Sequence, residues 1–121
     1  LDLHNLWANE RNGRQPLREF IADIPLERVV EVHLAGGEAL DGYWLDAHGA
    51  LTPTALLEIA ADIVPLLPNL KAITFEMMDE AMAAGRCDAA ALAEHFRELR
   101  GLWALRGTRV ATGGGRRAIA I

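Results

Sequence analysis

The sequence predicts an α/β protein built from three consecutive βα units. Three observations carry this. Short strand-like apolar runs each precede a stretch whose apolar residues recur at helical spacing. The segments joining them have the lengths that α/β units use. Histidine and carboxylate side chains stand at the C-terminal ends of two of the runs, where parallel α/β proteins collect their functional residues.

Taken in order, Leu1 to Trp7 alternates enough for a short first strand, and Asn9 to Gln15 is a loop by composition. Pro16 fits the first position of a helix, in which Leu17, Phe20, Ile21 and Ile24 line one face until Pro25 stops it. Arg28 to Leu34 is the second strand and delivers His33 at its end. The chain then breaks at Ala35-Gly36-Gly37 into a long loop that carries Asp46-Ala47-His48. Thr52 is placed as the cap of the next helix, with Pro53 just inside it and Leu56, Leu57, Ile59, Ala60, Ile63 and Val64 on its apolar face. Pro65 and Pro68 end it.

Leu70 to Glu76 is the third strand, with Glu76 at its end. Asp79 to Ala84 supplies one helical turn, closed by Gly85. Asp88 caps the longest helix, in which Leu92, Phe96, Leu99 and Trp103 form the apolar line as far as Gly107. The expected division is βα units over 1–107, then a short strand at Thr108 to Thr112 and a flexible tail over 108–121. Such units connect right-handedly into a parallel sheet.

The 121 residues, 51% hydrophobic with a formal net charge of −5, suit one globular unit. The acidic balance excludes a nucleic-acid groove, which needs clustered Lys and Arg; Lys71 is the only lysine. The most apolar segment, Ala55 to Leu67, is broken by Glu58, Asp62 and Pro65, so no membrane span is expected. Cys87 is the single cysteine, which excludes an internal disulfide and fits a reducing, cytoplasmic setting.

A histidine ending one strand, an Asp-x-His just after it and a glutamate ending the next strand form a divalent-metal ligand set of the iron, manganese or zinc kind. Glu76 has a bland alternative, capping the helix that follows it. His95 is assigned to a surface or groove position, Cys87 to a turn, and Tyr43 and Trp44 to the packing of the loop or to contact with a peptide. Glu31 alternates with His33, so it either supports that histidine from behind or sits in a rim ion pair.

The blocks LDLHNLWANERN, ERVVEVHLAGG and DAHG, with a strand ending in FE, resemble the C-terminal part of the multinuclear non-haem iron-dependent oxidative enzymes. That family includes the methanobactin-biosynthesis oxidase. The resemblance runs from about Leu1 to Met78. It implies a (β/α)8 TIM barrel with two or three iron ions at its C-terminal face, which oxidises cysteine residues of a ribosomally made precursor peptide with dioxygen. It also implies a partner protein that presents the peptide. Metal-ligand roles are implied for Asp2, His33, Asp46, His48 and Glu76, and a weaker one for Asn5. His4 departs from the family, which often has asparagine there, and is open to ligand, supporting or neutral roles.

A complete barrel needs roughly 250 residues, so the expectation is the C-terminal part of such an enzyme. Three units leave open barrel edges, which predicts self-association and no activity for this chain alone. Two other functions compete: a different metal-dependent TIM-barrel enzyme of the isomerase or phosphodiesterase kind, and a non-catalytic α/β interaction module.

Overall fold

A computed structural model describes residues 1–108. The fold is α/β, with helices alternating around a three-stranded mixed sheet. Its centre is β1 (Glu31–Leu40), which runs parallel to β3 (Ala72–Glu76) on one side and antiparallel to β2 (Tyr43–Ala50) on the other. This arrangement is consistent with part of a barrel.

The first expected strand is a helix. Only Leu1 and Asp2 are extended: the Leu1 ammonium donates to Glu31 O and the His33 amide to Leu1 O, making a parallel bridge between Asp2 and His33. The chain then turns into α1 (Leu3–Arg11), because the Asp2 carboxylate accepts from the Asn5 amide at 2.8 Å and caps the first turn. Leu3, His4, Trp7 and Ala8 are the buried positions, a helical rather than alternating set.

The helix α2 (Leu17–Asp23) buries Leu17 and Ile21, as its spacing predicts. Its first free amide, on Leu17, donates to the Glu10 carboxylate at 2.8 Å, so α1 caps α2 across the intervening loop. A short 3-10 turn over Leu26–Arg28 leads into β1.

The long loop expected after His33 is instead a β-hairpin. Strand β1 continues through Gly36-Gly37 to Leu40, turns at Asp41-Gly42, and returns as β2. Both turn residues have positive φ, 51° and 84°, the primed geometry that matches the twist of paired strands. A bulge lies between Gly36 and Glu38, where β1 leaves β3 and takes up β2. Glycine is required at both positions: a Cβ on Gly36 would sit 2.1 Å from Leu51 O, and one on Gly37 2.0 Å from Leu45 O.

After the hairpin, α3 (Thr54–Ile63) buries Leu56, Ala60 and Ile63 and runs into a 3-10 turn over Val64–Leu66. Its N-cap is Pro53, not Thr52. Thr52 is buried and its hydroxyl is hydrogen-bonded to His95 Nε2 at 3.1 Å. After β3 come the short α4 (Asp79–Ala83) and the long α5 (Ala89–Ala104), the latter capped by Asp88 as expected.

The buried stripe of α5 is His95, Leu99 and Leu102, so the helix is rotated by about one residue from the expected line. Phe96 is 43% exposed, whereas His95, assigned to a surface or groove position, is only 2% exposed and stacks edge-on against Phe75. The core lies between the sheet and the helices and is centred on Leu3, Leu17, Val32, Leu34, Leu56, Val64 and Leu67. The strand expected at Thr108 to Thr112 falls, apart from Thr108, outside the described residues. So does the rest of the expected 108–121 tail.

Candidate metal centre

Strand periodicity decides which side chains meet. Val32 and Leu34 of β1 are buried on the core face, so Glu31 and His33 point to the other face. The parallel register pairs His33 with Thr74 and Ala35 with Glu76, and Asp2 bridges His33. Asp2, Glu31, His33, Thr74 and Glu76 therefore share one face. Asp2, His33 and Glu76 can each offer a donor atom, all within 4.8 Å of one another. His33 Nδ1 is 3.0 Å from Glu76 Oε1.

The hairpin folds a second set over the first. His4, Asp46 and His48 also offer donor atoms within 4.8 Å of one another. His48 Nε2 lies 3.1 Å from Asp46 Oδ1, and His48 Nδ1 lies 3.7 Å from Glu76 Oε2, which joins the two sets. His48 holds φ of 50°, a left-handed conformation that His adopts more readily than most residues. Its carbonyl accepts from the Met78 amide at 2.8 Å, so the segment after β3 fixes this turn of β2.

Asp46 is the most heavily supported carboxylate. Its partial burial works to raise its pKa, but hydrogen bonds from Asn5 and His4, with the nearby His4 and His48, override that and hold it below the usual aspartate range. Asn5 donates to Asp46 Oδ2 at 3.1 Å while its own oxygen accepts from Asn9 at 3.0 Å. Asn5 thus braces Asp46 through its side-chain amide.

The Glu31 carboxyl is also held low, chiefly by the Thr74 hydroxyl, which donates to it at 2.5 Å. Its Oε1 is 3.4 Å from His33 Nε2, on the side of the ring away from Glu76. Among the described residues, the ion-pair partners of Glu31, Asp46 and Glu76 are histidines only. A site of several carboxylates with no lysine or arginine against them attracts cations.

The donor chemistry suits a metal. Imidazole nitrogens and carboxylate oxygens without cysteine fit iron(II), manganese or zinc, and the side chains of His33, Asp46, His48 and Glu76 are only about a quarter to a third exposed. The Glu31 carboxylate behind His33 and the Asn5 amide behind Asp46 supply the outer support that metal-binding residues commonly have. What the sequence alone concealed is that Trp44, assigned to loop packing or peptide contact, touches His4, and that Thr74 orients Glu31. The aromatic just before the Asp-x-His was the only hint of the former.

The fold and this site define an α/β protein with a histidine–carboxylate centre at the C-terminal end of its parallel strands. Residues 1–90 match the RiPP precursor modification enzymes MbnB/TglH/ChrH, and the chain belongs to that family. Among curated proteins, it is 28% identical over 102 residues to a UPF0276 protein of Anaeromyxobacter sp., covering 77% of this chain and 36% of that one. A UPF0276 protein of Streptomyces avermitilis is 35% identical over 63 residues, covering 52% of this chain and 13% of the relative. One from Acaryochloris marina is 40% identical over 50 residues, covering 40% and 18%. The matched part is thus a minor share of each relative's length.

Proposed function

We propose that this chain is the C-terminal part of a (β/α)8 barrel enzyme that oxidises cysteine residues of a ribosomally made precursor peptide in the cytoplasm. Dioxygen is the oxidant and iron the metal. A partner protein presents the peptide. The observation that carries this is the junction of two donor sets, linked through His48 and Glu76 at 3.7 Å. Membership in a family of peptide-modifying enzymes supplies the substrate class.

Asp2, His33 and Glu76 would hold one ion, and Asp46 and His48 would contribute to a neighbouring one. Glu76 would serve both; what supports this is that one of its carboxylate oxygens faces His33 and the other faces His48. Bound iron supplies one-electron chemistry toward dioxygen and a seat for a substrate thiolate. The protein's part is to fix the geometry. Thr74 holds Glu31 toward the back of His33, Asn5 holds Asp46, and the Met78 amide holds the backbone at His48.

The test is oxygen-dependent mass change in a cysteine-containing precursor peptide incubated with the iron-loaded enzyme bearing these residues. Mass change in the wild type and its loss in His33→Ala would support the proposal. Iron loading with no change in any cysteine-containing precursor would remove the oxidase assignment. This chain alone is expected to retain iron weakly, because donors from the remainder of the barrel are needed to complete the centre. Stoichiometric iron after purification from iron-rich medium would show that the visible donors suffice.

A further inference from the structure

We infer that His4 is a positioning residue for the metal centre: held as a single tautomer by Trp44, it donates to Asp46 and sets how that carboxylate meets a metal, without binding the metal itself. This rests on the metal centre proposed above, although its first test does not.

His4 is fully buried, and both of its ring nitrogens are engaged. The Trp44 indole Nε1–H, which can only donate, lies 3.3 Å from His4 Nε2. Nε2 must therefore accept, so the ring carries its proton on Nδ1. That makes the 2.5 Å contact with Asp46 Oδ1 an N–H···O bond from imidazole to carboxylate.

Trp44 is itself held through both its backbone and its ring. The Asn12 side chain accepts from Trp44 N at 2.8 Å and donates to Trp44 O at 2.9 Å. Trp7 meets the ring edge-on at 5.0 Å, and the Arg11 guanidinium lies over both tryptophans. Gly37 leaves the space where the two rings meet: a Cβ there would fall 2.7 Å from Trp44 Nε1 and 3.1 Å from His4 Cε1.

Coordination through Nε2 would strip the indole N–H of its acceptor, and coordination through Nδ1 would break the bond to Asp46. The first leaves the indole N–H unpaired and the second takes from Asp46 its shortest hydrogen bond, and both are costly. Asp46 loses nothing by receiving His4 and Asn5. An ionised carboxylate has about four lone-pair sites, which leaves room for a metal. Asparagine at this position would mimic the function, because its amide N–H occupies roughly the place of Nδ1–H.

Imidazole nitrogen NMR of the metal-free wild-type chain should show His4 protonated on Nδ1 and bare on Nε2. In Trp44→Phe that single tautomer should be lost. A Mn2+ titration, followed by paramagnetic broadening of the His33 and His48 signals, then gives the apparent affinity. His4→Asn should stay within about threefold of the wild type, while His4→Leu, of similar bulk but no donor, should bind about 10–100-fold more weakly. Should His4→Leu fail to fold, Trp44→Phe carries the comparison through its tautomer and its weaker Mn2+ binding.

An Nε2–H tautomer in the wild type, or His4→Asn binding as poorly as a variant without a donor, overturns the inference while leaving the metal centre standing. Absence of Mn2+ broadening in a wild type with the Nδ1–H tautomer overturns the metal centre, and with it the role of His4 toward a metal.

Discussion

At the scale of single residues, period-two alternation and parallel register do most of the work. His33 and Glu76 are 43 positions apart in sequence yet meet at 3.0 Å, because their strands are neighbours in register and both side chains face away from the core. In the intact enzyme proposed above, His33→Ala and Glu76→Gln should each lower iron content and abolish oxygen-dependent peptide modification, with helix content largely unchanged. The double variant should be little worse than either single one, since groups acting as one unit are strongly non-additive. Glu58→Gln, exposed on α3, is the control and should alter neither property. Retained iron and activity in both single variants would favour the interaction-module alternative.

The proximity of His33, Asp46, His48 and Glu76 was legible in residue types and positions, whereas Asp2 entered only through the family resemblance. Asn5 is not legible as a brace in the sequence, because its partner Asp46 lies 41 residues away on a strand whose glycine-rich approach resembles a loop. His95 shows the same limit. A polar residue with a polar neighbour, Glu94, looks external until its tertiary partners Thr52 and Phe75 are known.

At the scale of elements, the second and third expected strand–helix units are present, and the two departures have identifiable physical causes. Gly36-Gly37 suggested that β1 ended there. In the structure the pair makes a bulge, and the strand carries on with a new partner. The signal for the return strand was present in Leu40-Asp41-Gly42-Tyr43, since Asp-Gly is a favoured primed turn. Dense polar residues in Leu1 to Trp7 masked a helix whose tell-tale pair was Leu3 and Trp7, four apart and both buried.

The hairpin is what carries Asp46 and His48 over the parallel strands, so its turn is a test of the element. Gly42→Ala, at φ of 84°, should cost about 1–2 kcal/mol of stability, read as a lowered denaturant midpoint with an unchanged slope. Gly36→Ala should cost more, because its Cβ meets backbone rather than a side chain that can move aside. Equal, negligible losses at both sites would mean that the hairpin is not held in this form. Glu10→Ala, which removes the cap from α2, should cost about 1 kcal/mol and leave the hairpin untouched.

At the scale of the whole molecule, the sheet is a segment with two free sides. Among the described residues β3 pairs only with β1, and beyond β1 only Leu1 and Asp2 accompany its first half. Apolar surface gathers near these edges: Val30 is half exposed on one flank, and Met78, Met82 and Phe96 are substantially exposed after β3. An open groove of about 500 Å³ runs along the first flank between Leu1, Phe20, Ile24, Val29 and Val30. Unpaired strand edges bordered by apolar side chains are templates for association. The isolated chain should therefore form dimers or larger species at micromolar concentration in light scattering, with hydrogen exchange fastest in β3 and in the segment before β1. Salt should not dissolve these species, since apolar contact and backbone pairing drive them. A dilute, compact monomer that unfolds in one cooperative step would show that the three units bury enough by themselves, and the open half-barrel would have to be abandoned.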